Sequence, residues 1–185
     1  VDDSGSLDTD NITNVTVPTF SGTGAVAGEL VRLYAAGTTL LGSATADGTG
    51  GFSITSSPLT DATYSITAVS VNGVGTESPP STALTVTIDT TAPTPSVPDL
   101  AAASDTGSSS TDNLTTDDTP QFTGSGAENG SAVELVVDTV SLETGTADGS
   151  GNYDLTVSAG SALALGAHQV SVTATDLAGN VGTSG

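Results

Sequence analysis

The sequence contains no cysteine, methionine or tryptophan, and Arg32 is its single strongly basic residue. Without cysteine, no disulfide can stabilise the fold and no thiolate can act as a nucleophile or metal ligand. A surface with one arginine and no lysine cannot bind nucleic acid or an anionic membrane by releasing counterions, so both partners are excluded. With only three Phe and three Tyr, any core must be thin and dominated by β-branched residues.

The charge is heavily acidic, with 21 Asp and Glu residues and a formal net charge of −20. Such a chain repels itself unless bound cations neutralise it. No apolar run approaches the roughly 18 residues of a membrane span, and no signal peptide opens the sequence, so we expect no direct membrane insertion. We expect residue 1 to be a cut point inside a longer protein.

The sequence matches itself at a shift of about 102 residues. Residues 10–13 (DNIT) correspond to residues 112–115 (DNLT), and residues 18–24 (PTFSGTG) correspond to residues 120–126 (PQFTGSG). A period near a hundred residues is too long for a solenoid and is typical of separate domains in series. We therefore predict two repeats, at 1–89 and 90–185, joined by the Thr- and Pro-rich link that begins at Thr90.

Within each repeat, apolar residues alternate with polar ones, as in Leu84, Val86 and Ile88 with threonines between them. This period of two predicts strands with one buried face. In the first repeat, strands are predicted at 17–23, 29–35, 39–46, 51–56, 63–71 and 81–88. Together they predict an all-β chain of tandem immunoglobulin-like sandwich domains.

When the two repeats are aligned with each other, each is expected to lack one edge strand. The first strand of the second repeat is expected at 94–101, and the first repeat has no counterpart of it. The second repeat ends before any counterpart of the 81–88 strand. We expect sequence outside these residues to supply both edges, because an open edge favours aggregation.

Four segments carry a resemblance to a known family: PDLAAASDTGSSSTDN (98–113), PQFTGSG (120–126), VSVTATDLAGN (170–180) and VTIDTTAP (86–93). They resemble the bacterial Ig-like repeats of giant surface adhesins and biofilm-associated proteins. The resemblance implies an extracellular stalk at the bacterial cell surface, built from many such domains and stiffened by calcium.

Two matching acidic loops, Asp3–Asn11 and Asp105–Asn113, are candidate Ca²⁺ sites, because Ca²⁺ binds six to eight oxygens from carboxylates, carbonyls and water. In this topology the first loop lies beside Asp89, and Asp176 faces the same junction. We predict one or more Ca²⁺ ions there. The candidate ligands are Asp3, Asp10, Asn11, Asp89, Asp105, Asp112, Asn113, Asp148 and Asp176.

The alternative is that these loops are ordinary turns, since Asp, Asn, Gly and Ser dominate turns in any case. The turns at Asp47 and Asp148 taken alone are better explained as plain hairpins. In the first repeat, Ser70 is expected to replace Asp176, which would remove one ligand from the junction before that repeat.

An enzyme is disfavoured, because His168 is the single histidine and no Gly-x-Ser-x-Gly segment is present. Two hypotheses remain. The first is a stalk segment whose partners are neighbouring repeats of the same or an identical chain. The second is a binding module for a host or matrix glycan or protein, in which Tyr34 is the candidate exposed platform.

Overall fold

A computed structural model describes residues 2–185. The chain divides into two compact units, unit 1 (Val1–Thr90) and unit 2 (Thr91–Gly185), which are described one at a time. Val1, the first residue of the first predicted repeat, lies outside the described residues. Among residues 2–185, no helix is long and apolar enough to cross a membrane.

Unit 1 is a sandwich of two sheets. Its strands within residues 2–90 are β1 (Ile12–Thr13), β2 (Thr19–Gly22), β3 (Leu30–Ala35), β4 (Thr39–Thr45), β5 (Phe52–Thr55), β6 (Ala62–Val71) and β7 (Leu84–Ile88). One sheet has the order β1-β7-β6-β3-β4, and β2 pairs with β5 in the other. β1 runs parallel to β7, whereas the other neighbours are antiparallel.

The core of unit 1 follows from alternation along its strands. In β3, Val31 and Leu33 are buried, and Arg32 between them is partly exposed. In β7, Val86 and Ile88 are 0 % and 1 % exposed. Full burial of one such side chain stabilises the fold by about 1.5–3 kcal/mol, so a single strand such as β7 contributes a large part of this thin core.

Unit 2 repeats the sandwich. Its strands within residues 91–185 are β8 (Asp99–Leu100), β9 (Gln121–Gly124), β10 (Ala132–Val137), β11 (Val140–Thr146), β12 (Tyr153–Thr156), β13 (Val170–Thr175) and β14 (Val181–Thr183), with a short 3₁₀ turn at Ala159–Ser161. One sheet has the order β11-β10-β13-β14 and the other β12-β9-β8.

The core of unit 2 repeats the pattern of unit 1 with different side chains. Val133 and Leu135 of β10 are 1 % and 0 % exposed, in the places of Val31 and Leu33. Tyr153 is buried, and its hydroxyl donates a 2.8 Å hydrogen bond to the carbonyl oxygen of Ser96. The tyrosine therefore fills the core while its polar end stays paired.

The prediction of an all-β chain with immunoglobulin-like sandwich domains is confirmed. The six strands predicted in the first repeat form as β2 to β7, with ends displaced by no more than about three residues. β1 was not predicted, because two residues are too few to show alternation. The strand expected at 94–101 forms a ladder only at β8, since Pro95 and Pro98 have no N–H to donate.

The hairpin turn before β12 depends on Gly151. Its φ is +75°, and a Cβ added there would lie 1.8 Å from the carbonyl oxygen of Ala127. Gly149 in the same turn has open space around its Cα and no positive φ. The backbone conformation therefore requires a glycine at position 151, whereas Gly149 reflects only the general preference of turns for glycine.

We predict that Gly151→Ala destabilises unit 2 by about 2–4 kcal/mol, because left-handed strain adds to a backbone clash. Calorimetry of the full chain should show the unit 2 transition shifted down and the unit 1 transition unchanged. The matched variant Gly149→Ala should leave both in place. Equal shifts for the two variants would contradict the role given to Gly151.

Candidate metal centres

Asp105 is the buried acidic residue of the loop that follows β8. A tight turn places it there, since its N–H donates a 3.0 Å hydrogen bond to the carbonyl oxygen of Ala101. The residue is only 5 % exposed. Its Oδ2 accepts a 3.2 Å hydrogen bond from the N–H of Asn113, whereas its Oδ1 is buried without a hydrogen-bond partner.

The far end of the same loop is pinned by Asp112 and Asn113. Asp112 Oδ1 accepts a 3.2 Å hydrogen bond from the N–H of Leu114, which is an Asx turn. Asn113 has a φ of 57°, a left-handed conformation that asparagine tolerates. Its side-chain oxygen accepts a hydrogen bond from the N–H of Leu100, so the loop is anchored to β8.

The loop at the start of unit 1 has the same geometry. Asp3 Oδ2 accepts a 3.0 Å hydrogen bond from the N–H of Asn11, and Asp10 Oδ1 accepts one of 3.0 Å from the N–H of Ile12. Asn11 has a φ of 60°. The second oxygens, Asp3 Oδ1 and Asp10 Oδ2, are buried and have no hydrogen-bond partner.

An ordinary turn does not require these unpaired oxygens. A buried carboxylate oxygen without a hydrogen bond costs a few kcal/mol, and a buried charge costs more unless it is paired. Ca²⁺ coordinates carboxylate oxygens directly. Hydrogen bonds within the loops therefore account for one oxygen of Asp3, Asp10 and Asp105, and the second oxygen of each fits a hard cation.

Asp89 lies beside the exit of the first loop, as the topology predicted. Its N–H donates a 2.9 Å hydrogen bond to the carbonyl oxygen of Thr13, and the N–H of Thr87 donates one to Asn11. These bonds continue the parallel pairing of β1 and β7. Within residues 2–90, Asp3, Asp10 and Asp89 do not converge closely enough for their carboxylates alone to form a three-ligand group.

Asp176 begins the turn between β13 and β14 and is only 3 % exposed. Asn180 satisfies both of its oxygens, through a 2.8 Å bond from the backbone N–H to Oδ1 and a 2.8 Å bond from Nδ2 to Oδ2. A carboxylate oxygen of Glu128 lies within 4.8 Å of one of Asp176. Unit 2 thus presents two neighbouring carboxylates at this turn.

Glu128 was missed because the self-match gives it no acidic counterpart. The preceding residues Gly126 and Ala127 match Gly24 and Ala25, and Val26 then occupies the equivalent position. The one signal that could have found Glu128 is its position in the loop between β9 and β10.

The expected replacement of Asp176 by Ser70 is wrong. Asn72 occupies the equivalent place, because its N–H bonds the carbonyl of Thr76 as that of Asp176 bonds Asn180. The side-chain oxygen of Asn72 accepts hydrogen bonds from the N–H groups of Val74 and Thr76. Unit 1 therefore has a neutral amide where unit 2 has a buried carboxylate.

Asp148 caps its own hairpin turn. Its Oδ1 accepts hydrogen bonds from the N–H groups of Ser150 (2.8 Å) and Asn152 (2.9 Å), and its Oδ2 accepts one from Nδ2 of Asn152. These bonds, the one from the Asn152 backbone foremost, hold the pKa of Asp148 below its ordinary value. Asp47 caps the matching turn of unit 1 in the same way.

We predict that Asp148→Ala lowers the melting temperature of unit 2 equally in calcium and in chelator, because it removes a turn cap. Since the folded-state pKa is lowered, this contribution is present above the ordinary pKa of Asp and is lost as the pH falls through the lowered value. Thermal scans between about pH 2 and 7 test this.

The matched control for this variant is Asp154→Ala, which removes an exposed carboxylate from β12 without removing a turn cap. It should leave the melting temperature nearly unchanged. A loss of stability in Asp148→Ala that occurs only with calcium present would instead identify Asp148 as a ligand.

Comparison with solved structures finds similar folds at low sequence identity. The BSP domain of a biofilm-associated protein is 19 % identical over 94 % of this chain and 27 % of its own, with a TM-score of 0.36. A tetra-tandem repeat from the extending region of a large adhesion protein is 24 % identical, with coverages of 94 % and 45 % and a TM-score of 0.42.

A Ca²⁺-stabilized adhesin that helps an Antarctic bacterium bind ice is 24 % identical, with coverages of 95 % and 46 % and a TM-score of 0.40. The chain thus spans about a quarter to a half of the length of these three structures. Among curated proteins, no match was found.

A family model supplies the assignment. The model of the bacterial Ig-like domain matches residues 1–90 and again residues 91–185, so it covers both units. The two matches agree with the internal repeat and with the two sandwiches described above. The chain belongs to the bacterial Ig-like domain family and contains two of its domains in tandem.

Proposed function

We propose that the chain is a spacer segment of an extracellular adhesin or filament at the bacterial cell surface, made rigid by Ca²⁺ at the ends of its repeats. One observation carries this proposal. Asp105 is 5 % exposed, and its Oδ1 is buried without a hydrogen-bond partner in a loop that unit 1 repeats with Asp3 and Asp10. Membership of the bacterial Ig-like family supports a role in a serial array.

The net charge gives the cation a second role. With −20 charges and one arginine, the chain repels itself at low ionic strength. Divalent ions at the loops neutralise part of this charge where it is most concentrated. A structure without disulfides gains a stabiliser that is available outside the cell but scarce within it.

Modest affinity is sufficient for this role. For a dissociation constant of about 10⁻⁴–10⁻³ M and about 1 mM free Ca²⁺, binding stabilises the folded state by roughly 0.4–1.4 kcal/mol per site. Repeated along an array, sites of this strength add up. They also make stability depend on the calcium concentration of the surroundings.

The junction between the repeats is the place where a bound ion would affect rigidity. Asp89 is followed directly by Thr90, the last residue of unit 1. Chain connectivity thus ties Asp89 and the neighbouring Asp3–Asn11 loop to this end of unit 1. Pro93 and Pro95, which follow Thr90, make the link itself semi-rigid.

The spacer is favoured over a binding module by the state of Tyr34. Its side chain is half-buried, and its hydroxyl donates a 2.9 Å hydrogen bond to Oε1 of Glu77. The same carboxylate oxygen accepts a 2.7 Å hydrogen bond from Arg32. The candidate platform is thus engaged within unit 1 together with the chain's one arginine.

Removal of calcium should lower the melting temperature of the full chain by a few degrees and reduce its maximum dimension. The reason is that the loop carboxylates lose their counterion and the junction loses its cross-link. Calorimetry and small-angle scattering, each in 1–5 mM Ca²⁺ and in excess chelator, measure both effects. Unchanged values in both measurements would contradict the proposal.

Two variants and one control variant sharpen the experiment. Asp105→Asn keeps a hydrogen-bond acceptor for Asn113 but removes the charge, so the calcium response of unit 2 should shrink, whereas the exposed Asp154→Asn should retain it. Asp89→Ala should make the maximum dimension insensitive to calcium while both units stay folded. Unfolding of both units by Asp89→Ala would show that the site is misplaced.

A further inference from the structure

Two asparagines of the chain are followed directly by glycine: Asn72–Gly73 comes after β6, and Asn129–Gly130 lies between β9 and β10. In this dipeptide the side-chain amide is readily attacked by the next backbone nitrogen, because glycine has no Cβ to crowd that nitrogen. Both asparagines are exposed to water. The sequence alone therefore does not distinguish between the two sites.

The backbone nitrogen of Gly73 is available for this attack. Within residues 2–185, no hydrogen bond engages the N–H of Gly73, whereas the N–H groups on either side of it, those of Asn72 and Val74, are both bonded. A Cβ added at Gly73 would meet no atom within 4 Å beyond its chain neighbours. The nitrogen is thus neither paired nor crowded.

The side-chain amide of Asn72 is prepared for the attack by its hydrogen bonds. Its oxygen accepts one from the N–H of Val74 (3.1 Å) and one from the N–H of Thr76 (2.9 Å). When a nitrogen adds to the Cγ of Asn72, negative charge develops on this oxygen. N–H groups that already contact the oxygen stabilise that charge. The turn therefore supplies a free nucleophile and two donors for the developing oxyanion.

The backbone nitrogen of Gly130, in contrast, is occupied. Its N–H donates a 3.2 Å hydrogen bond to the carbonyl oxygen of Ala147, and the N–H of Ala147 donates one of 2.9 Å to the carbonyl oxygen of Ser131. Ala147 is 4 % exposed and belongs to the core of unit 2. Attack by the nitrogen of Gly130 therefore requires a local opening that breaks its bond to a core residue.

We propose that Asn72–Gly73 is a site of spontaneous deamidation in the folded chain, and that the fold protects Asn129–Gly130. The nitrogen of Gly73 forms a bond to Cγ of Asn72, and the bond from Cγ to Nδ2 breaks. Nδ2 leaves as ammonia, which takes up the proton of the Gly73 N–H. Water then opens the cyclic succinimide and leaves a carboxylate, and no oxidant or reductant takes part.

The modification gives unit 1 a charged turn of the kind that unit 2 already has. Opening of the ring at the side-chain carbonyl gives an aspartate at position 72, the position that Asp176 occupies in unit 2. Its carboxylate accepts the N–H groups of Val74 and Thr76, as Asp176 accepts that of Asn180. Opening at the main-chain carbonyl gives isoaspartate, which lengthens the backbone by a methylene. Of the two products, only aspartate preserves the hydrogen bonds of the turn.

The experiment incubates the full chain at mildly alkaline pH and follows deamidation at each asparagine by peptide mapping with mass spectrometry. In the folded chain, Asn72 should react roughly tenfold or more faster than Asn129, because Gly130 must first be released by local opening. In denaturant, where neither turn persists, the two should react at similar rates. Equal rates in the folded chain, faster reaction at Asn129, or reaction of Asn72 in denaturant alone would overturn the proposal.

A point variant tests the nucleophile. Gly73→Val should suppress the reaction at Asn72, because a β-branched side chain crowds the attacking nitrogen, and the open space around Gly73 accommodates it. The matched control Gly48→Val, at another unobstructed glycine in a turn of unit 1, should leave the rate at Asn72 unchanged. An undiminished rate in Gly73→Val, or an equal loss in both variants, would overturn the assignment of the Gly73 nitrogen.

A second variant tests the product. Asn72→Asp reproduces the aspartate in every molecule, and it should leave the melting temperature of unit 1 no lower than that of the parent chain, because a carboxylate accepts the same hydrogen bonds more strongly than an amide. Asn72→Ala, which has no acceptor, should lower it. A melting temperature lowered as much by Asn72→Asp as by Asn72→Ala would overturn the role given to the aspartate in the turn.

Discussion

Both units depend on burying β-branched aliphatic side chains between two small sheets, with no disulfide and few aromatic residues to reinforce them. The buried faces of β3 and β10, built around Val31 and Val133, form the centre of this packing. Because each core is only two sheets deep and a few strands wide, an edge strand or a loop at its end contributes a large share of the burial. The edges and end loops therefore govern the stability of each sandwich.

The loops at the sandwich ends carry charge into this thin interior. Asp105 is almost completely buried, and Asp3 and Asp10 each have one buried oxygen without a partner. In an apolar interior such groups destabilise the fold unless they are paired. In the proposed function this cost becomes a dependence on calcium. Where calcium is scarce, the folded segment would be less stable, and outside the cell, where calcium is available, the same segment would be more stable.

The strands could be predicted from sequence because alternation, as in Leu84 to Ile88, records burial directly. The acidic loops were found because the chain contains them twice. Geometry that depends on contacts across the fold could not be predicted. The pairing of Asp3 Oδ2 with Asn11, which leaves Oδ1 unpaired, is invisible in sequence. Glu128 was missed because Val26 takes its place in the other repeat. Ser70, instead of Asn72, was predicted to be the counterpart of Asp176 because the register of a loop cannot be read from spacing alone.

The central claim is that the unpaired oxygen of Asp105 is a cation ligand, and a crystal structure of the chain grown with Ca²⁺ tests it most directly. Anomalous scattering collected above the calcium edge or after lanthanide exchange would identify the ion without relying on its shape in the density. The account predicts an anomalous peak about 2.3–2.6 Å from Oδ1 of Asp105, and a second peak at the Asp3 and Asp10 loop. A water molecule or a protein donor at Oδ1, with no anomalous signal at millimolar calcium, would contradict it.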